Sequence, residues 1–387
     1  MRVIILGGDG YIGWPLALSL SKKGHSVIIV DNCMRREVDL ELNVESLTPI
    51  RTIEERINSW ENITKIRLQY ENINVAEEYL KTKNLFSEFR PDVIFHLAEF
   101  KSAPYSMRSA EHKIKTIGHN VNAANNILSA IIESNSNSHL IHIGTMGVYG
   151  YNSQKNTFIP EGYIDVDMHY DNNFLEKKNI LYPFNPGSIY HLSKSLDNLI
   201  FQFYNKNDKI KITDLHQGIV WGSQTAETSM HDDLINRFDY DGDYGTVLNR
   251  FIIEAAINYP LTIHGTGEQT RAFIHLSDSI KCLELAMSNP PNPNERVRIF
   301  NQLSETKSII SLAKNIERIT NCKIDFLDNP RNEAKKNELE AKNDSLIKLG
   351  FEPKMLNDEM LEDLLNFAKK YSNRCNIDKI PSRPKWN

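Results

Sequence analysis

Val3-Ile4-Ile5-Leu6-Gly7-Gly8-Asp9-Gly10-Tyr11-Ile12-Gly13 opens the chain with an apolar run, a glycine-rich turn and the first residues of a helical pattern. A run that is apolar at every position suits a strand covered on both faces, as in a parallel sheet. Gly7 and Gly10 remove side chains where a backbone must approach a pyrophosphate, with Tyr11 and Ile12 carried in the same turn. Gly13 lets the helix pack closely on the sheet, and the helix N-terminus faces the anion. The spacing is GxxGxxG, and such a turn on its own is as readily a simple tight turn as a nucleotide cradle. The next apolar run, 27–30, ends at Asp31, whose carboxylate would accept hydrogen bonds from the hydroxyls of an adenine ribose. An acid at a strand end can also simply be solvated. Strand, glycines, helix, strand and acid in that order nevertheless predict a dinucleotide site. Asp31 would repel a ribose phosphate and so favours NAD over NADP. Beside Asn32, Arg35 and Arg36 stay open to three readings: accepting that extra phosphate, gripping the pyrophosphate, or lying in solvent.

Outward from this unit the pattern repeats. Apolar runs recur at 66–70, 93–97 and 140–143, and helical patterns fill 11–23, 76–89 and a long stretch around 119–133. The alternation predicts an α/β fold, a doubly wound, Rossmann-like parallel sheet with helices on both faces. Residues 35–62 are too many for an ordinary connection and should hold a helix or a lid. After Gly222 the chain is punctuated by Pro and Gly, as in Asn289-Pro290-Pro291-Asn292-Pro293 and His264-Gly265-Thr266-Gly267. We expect an NAD-binding domain over 1–222 and a smaller, mainly nucleotide-sugar-binding domain over 223–387, with some segments returning to the first.

Bulk composition narrows the function classes. The 387 residues, 40% hydrophobic and 25% charged, suffice for a full core and have the balance of a soluble globular protein. A net charge of −5 argues against a general nucleic-acid surface. No apolar stretch reaches the roughly 18–20 residues needed to cross a bilayer, so no membrane partner is expected. Met1-Arg2 runs directly into the first strand, so no leader is expected. Cys33, Cys282, Cys322 and Cys375 lack CxxC spacing, so neither a disulfide framework nor a metal site is expected, and a reduced cytosol fits.

The catalytic candidates are Tyr190 and Lys194, in Tyr190-His191-Leu192-Ser193-Lys194. Four residues apart on a helix, they share one face. A phenol titrates near ~10 in isolation, too high for a base at neutral pH. A neighbouring ammonium and a positive nicotinamide would stabilise the phenolate. A lone YxxxK is common by chance. Here Ile143-Gly144-Thr145 closes a fifth strand with a hydroxyl that could bond a substrate alcohol, and the glycine turn supplies the cofactor.

Together these residues resemble the extended short-chain dehydrogenase/reductase family, with GxxGxxG, a Ser/Thr after strand five and YxxxK. The stretch from Gly265 through Gln269 and Arg271 to His275 is similar to that family's second nucleotide-sugar element, whose arginine pairs with a diphosphate. An arginine fork suits phosphate oxygens. More specific stretches are Glu45-Ser46-Leu47-Thr48-Pro49-Ile50, Ser102-Ala103-Pro104-Tyr105-Ser106-Met107, Gly144-Thr145-Met146-Gly147, Leu248-Asn249-Arg250-Phe251 and Asn329-Pro330-Arg331. With the glycine turn and the Tyr190 motif they resemble the UDP-sulfoquinovose synthase family, from Arg2 to the region of Trp386. The resemblance implies that UDP-glucose and sulfite are the substrates, that NAD is reduced and regenerated in each turnover, and that the enzyme is a homodimer. It implies Tyr190 as the base for the sugar 4-hydroxyl, Thr145 as a hydrogen-bond partner of the 4-oxygen and Lys194 as the group tuning Tyr190. His191 is either a proton shuttle or a helix residue packed beside Tyr190. The cofactor set it implies extends to Asn72, Ile73, Leu97, Ala98, Asn120, Gln217 and Val220. The implied substrate set is Lys101, Ser102, Thr145, Gln217, Thr246, Asn249, Arg250, Gln269, Arg271, Arg331 and Glu333.

Three positions depart from that pattern. Lys101 stands where the family has arginine, Asn72 where relatives have aspartate, and His216 where they have asparagine. Met146-Gly147 is informative by what it lacks: related sugar 4,6-dehydratases carry an acid pair there, and neither residue here can move a proton. Two other functions remain in view. A UDP-hexose 4-epimerase would use the same NAD, Tyr, Lys and Thr without chemistry at C6. A non-catalytic NAD-binding scaffold protein would have no chemical need for Thr145, Tyr190 and Lys194 together.

Overall fold

The structure, a computed structural model, describes residues 1–150, 157–171, 173–331 and 337–381. The opening apolar run forms β1 (Arg2–Leu6), and Gly13 begins α1 (Gly13–Lys22). β2 (Ser26–Val30) follows, parallel to β1. The long segment after Asp31 holds two helices, α2 (Met34–Leu42) and α3 (Ile53–Thr64). Thr52 starts α3 with a capping box: its hydroxyl accepts from Glu55 N, and the Glu55 carboxylate accepts from Thr52 N. β3 (Gln69–Glu71) is shorter and later than the apolar run at 66–70, because Ile66 and Leu68 turn into the core under α3 instead of pairing. Then come α4 (Tyr79–Phe89), β4 (Val93–His96), α5 (Ala103–Ser106), α6 (Ala110–Glu133) and β5 (His139–Thr145). α6 begins well before His119, where Ser109 caps it by accepting from His112 N.

β6 (Thr157–Ile159) and an antiparallel hairpin of β7 (Tyr163–Tyr170) and β8 (Asn173–Leu181) precede α7 (Ile189–Asp208). β9 (Lys211–Gln217) and β10 (Ile219–Trp221) lead to α8 (Val247–Ala256), β11 (Leu261–His264), β12 (Thr270–His275) and α9 (Leu276–Ser288). The described chain closes with β13 (Arg298–Gln302), β14 (Glu305–Ser308), α10 (Ile309–Thr320), β15 (Ile324–Leu327), β16 (Leu339–Ala341), α11 (Asp344–Lys348) and α12 (Asp358–Lys370).

The main sheet has the order β13-β9-β5-β4-β1-β2-β3, with every neighbouring pair parallel. It is the doubly wound sheet expected, and β13 returns to it from beyond residue 222. Trp14, Trp60 and Leu283 pack on one face, and Phe86, Ile127 and Phe201 on the other. Each fully buried side chain of this size contributes roughly 1.5–3 kcal/mol. A further core gathers Phe238, Tyr240, Phe251 and Leu312 with Val38 and Leu47, so the segment after β2 packs against the later part of the chain. The chain order reverses between β1 and β4, and a ligand crevice is expected at the C-terminal ends of those strands.

Candidate active site

The glycine turn bends where only glycine fits. Gly7 has φ 86°, and a β-carbon there would lie 2.6 Å from the Leu97 carbonyl carbon at the end of β4. A β-carbon at Gly13 would lie 2.1 Å from Gly7 O, so α1 could not start so close to the sheet. A cavity opens at this crevice. Gly7, Gly10, Tyr11, Ile12, Gly13, Asp31, Asn32, Arg35, Ile73, Leu97, Ala98, Tyr190, Lys194 and Gln217 all line it. The Asp31 carboxylate accepts from Asp9 N at 2.9 Å and Cys33 N at 2.7 Å. Burial, helped by the charge of Asp9, pushes the Asp31 carboxyl up to about 6.

The other expected cofactor residues stand elsewhere. The Arg36 guanidinium forks onto Asp9 at 2.7 and 2.9 Å and donates to Arg51 O, and it does not line this cavity. Buried Arg56 takes the same carboxylate at 2.6 Å. Asn72 is exposed just past β3. Asn120 is buried and latches the post-β4 loop to α7, accepting from Phe100 N and donating to Phe100 O and Ser193 Oγ. Val220 is part of the apolar core.

Ser188 caps α7 and so fixes Tyr190 and His191 in its first turn. Tyr190 and Lys194 lie one turn apart, and both line the cavity. Thr145 ends β5, half-buried, its Oγ accepting from Gly147 N at 3.1 Å. The His191 ring packs directly over Gly147.

Beneath this pair lies a set of buried charges that sequence reasoning missed. The Lys194 ammonium donates to Ile143 O at 2.7 Å, lies 2.9 Å from His142 Nε2 and is paired with Glu99 at 2.5 Å. Burial opposes the charge of Glu99, yet the ammonium and the imidazoles of His96 and His142 hold its carboxyl well below the usual carboxylate range. For His142, burial and Lys194 work against protonation, but Asp214 and Glu99 outweigh them and lift it to about 8. His216 Nε2 lies 3.0 Å from Asp214, and its Nδ1 lies 2.7 Å from the Tyr149 hydroxyl, so this departure from the family pattern completes the buried set. His96, Glu99 and His142 come close enough to hold a metal ion. The Lys194 ammonium pairs with Glu99 and lies against His142, so a cation already stands at that donor set. The one sequence signal for Glu99 was an acid directly after a central apolar strand, at the crevice edge.

A second cavity meets the first at Lys101 and Tyr244, which line both. Arg250, Arg271 and Arg331 converge on it, with Ser102, Thr246 and Gln269. Arg271 is held by Thr270 O at 3.0 Å, and Gln269 by His264 O at 3.2 Å. The Ser102 hydroxyl donates to Asp243 O while accepting from Tyr105 N. Asn249 is buried in α8 against the Tyr11 phenol and lies outside this lining. Glu333 lies outside the described residues.

A crevice with a glycine-turn cradle, a paired Tyr and Lys, and an arginine-lined neighbour defines a nucleotide-dependent short-chain dehydrogenase site. The model of the NAD dependent epimerase/dehydratase family matches residues 3–301. The chain belongs to that family and is an NAD-dependent enzyme. It is 40% identical to the chloroplastic UDP-sulfoquinovose synthase of Spinacia oleracea, an alignment spanning 100% of this chain and 79% of that protein. It is 33% identical to the UDP-sulfoquinovose synthase of Sulfolobus acidocaldarius, spanning 100% of this chain and 98% of the other. The solved UDP-glucose 4-epimerase of Thermotoga maritima, with UDP-glucose, shares the fold at a TM-score of 0.70 and 21% identity, over 96% of this chain and 99% of that one.

Proposed function

We propose that this chain makes UDP-sulfoquinovose from UDP-glucose and sulfite. The observation that carries the reading is the meeting of the two cavities at Lys101, with Tyr190 and Lys194 in one and three arginines around the other. Arg250, Arg271 and Arg331 bind the UDP diphosphate, and the sugar reaches across to Tyr190. NAD, when bound in the first cavity, supplies a hydride acceptor for sugar C4 and later the donor that restores it. Tyr190 takes the 4-hydroxyl proton, and the Thr145 hydroxyl bonds the 4-oxygen. The resulting ketone acidifies C5–H, and loss of that proton with the 6-hydroxyl gives a conjugated enone. His191, whose ring covers Gly147, stands where a dehydratase carries its acid and is the group to move these protons. Lys101 holds the sulfite that adds at C6.

The same reading keeps an NAD-binding region over 1–222 and a mainly sugar-nucleotide region over 223–387. It also includes a homodimer formed through the outward faces of α6 and α7, where Ile114, Leu199 and Phe203 are exposed. Among the described residues no helix is long and apolar enough to cross a membrane, and the four cysteines are free, which suits a reducing cytosol. The experiment is product mass and C6 connectivity from UDP-glucose with and without sulfite. A C6 sulfonate supports the synthase; UDP-galactose at every sulfite level replaces it with a 4-epimerase.

A further inference from the structure

We propose that Glu99 is a positioning residue for the reaction: it holds the Lys194 ammonium in place and balances its charge beneath Tyr190. This rests on the reading that Tyr190 takes the 4-hydroxyl proton. In that turnover Tyr190 must also give the proton back when C4 is reduced again. A group working in both directions does best with its ionisation near the working pH. An unbalanced buried ammonium beside the phenol would make the phenolate too stable to return the proton.

The geometry supplies the balance. Lys194 is 4% and Glu99 2% exposed, so water screens neither charge. Glu99 Oε2 takes the ammonium at 2.5 Å, while Oε1 lies 2.7 Å from His96 Nε2 and 3.2 Å from His142 Nε2. Every element around the pair contributes a titratable group. β4 brings His96, which burial drives down to about 4 and so keeps neutral at physiological pH. β5 brings His142, and β9 brings Asp214, 2.8 Å from His142 Nδ1. α6 brings His119, which feels the charge of Glu99. α7 brings Tyr190 itself and Asp197, which burial and Glu99 push well above the usual carboxylate range. Among the described residues neither Asp197 oxygen has a hydrogen-bond partner, whereas Glu99 takes the ammonium at 2.5 Å, so Glu99 is the carboxylate that answers Lys194. Glu99 also lines the cavity, so the pair sits at the wall where cofactor and sugar meet.

The test compares Glu99→Gln with the unmodified holoenzyme in two measurements over pH. The first is NAD reduction on adding UDP-glucose. The second is the near-ultraviolet phenolate absorbance, read as the difference from the same protein carrying Tyr190→Phe. With the carboxylate gone, the phenolate should be stabilised, and both the acid limb and the phenolate titration should move down by about one pH unit. Return of hydride to C4 should slow at least about tenfold, and Glu99→Asp should restore part of both effects. A Glu99→Gln protein with the limb and titration in their original places, at any rate of turnover, overturns the proposal. If Glu99→Gln does not fold, Glu99→Asp carries the same two measurements, with a smaller downward movement expected and none overturning the idea. Absence of NAD reduction in the unmodified enzyme would instead sink the assignment of Tyr190, and is thereby told apart.

Discussion

The His191 imidazole occupies the space a side chain at Gly147 would need: a β-carbon there would lie 2.3 Å from His191 Cδ2 and Nε2. Neither Met146 nor Gly147 has a side chain that can move a proton, and the imidazole carried by α7 stands directly against Gly147. His191→Asn should therefore leave the first NAD reduction largely intact and slow exchange of the C5 proton and sulfonate formation by about 10²–10⁴-fold. Solvent-deuterium exchange at C5, followed by mass spectrometry, checks it. Gly147→Ala should have a similar effect, because the ring must leave. An unchanged exchange rate in His191→Asn would return that residue to a packing role.

The cofactor half of the site was legible because its signals are local. Gly7, Gly13, Asp31, Tyr190 and Lys194 each sit in a short pattern whose spacing carries the chemistry. The buried charges were not legible, because they are assembled by strand register. His142 and Glu99 meet only because β4 and β5 pair His96 with His142. In sequence, His142 hides inside an apolar run. Val220 and Asn120 do not line the cavity: their side chains face the core and a loop latch, which local sequence patterns do not reveal. The capping signals of Ser109 and Thr52 were present in the sequence. Ser109 marks the start of α6 better than apolar periodicity did, and Thr52 gives the start of α3 within the long 35–62 segment.

Asp31 makes a pH prediction for NAD. Ribose hydroxyls donate to a carboxylate, so the ionised form binds NAD, and this acid titrates at about 6. Affinity should be full above that value and fall as pH drops through it, by about tenfold between pH ~7.5 and ~5. The sign for folding is opposite. A carboxyl raised above its unfolded value of 3.8 loses stability as pH rises between that value and about 6. Asp31→Asn should flatten the affinity profile and narrow the preference for NAD over NADP. Calorimetric titration of both dinucleotides at several pH values measures it, and a flat profile in the unmodified protein would refute it.

The diphosphate site makes a prediction of separation. Arg271 is tied to Thr270 O and Asn337, so its fork is held before the ligand arrives. Arg271→Ala should weaken UDP and UDP-glucose alike, by roughly tenfold to a hundredfold for a charge-assisted contact, with NAD affinity unchanged. Competition binding with UDP alone is the measurement. Loss of NAD affinity alone would move Arg271 to the cofactor.

Lys101 makes the last prediction, and it concerns the nucleophile. Its ammonium lies 3.6 Å from Asp239, a carboxylate that Arg35 and Arg237 also take, at 3.2 and 3.0 Å. Asp39 also pairs with Arg35 and Arg237, so two carboxylates answer three cations, and Lys101 is the one left to face an incoming anion at that corner of the joined cavities. Sulfite needs such a corner, because it must approach a sugar already attached to a doubly charged diphosphate. Lys101→Ala should raise the sulfite KM by about tenfold or more and leave the KM for UDP-glucose nearly unchanged. Lys101→Arg should keep or lower the sulfite KM, because a planar fork holds two sulfite oxygens where an ammonium holds them as a point charge. Added salt should weaken sulfite use in the unmodified enzyme more than in Lys101→Ala. Initial rates of sulfonate formation over a sulfite titration at fixed UDP-glucose decide the matter. A KM change confined to UDP-glucose would place Lys101 on the sugar or the diphosphate and leave the sulfite site to be sought elsewhere in the cavity.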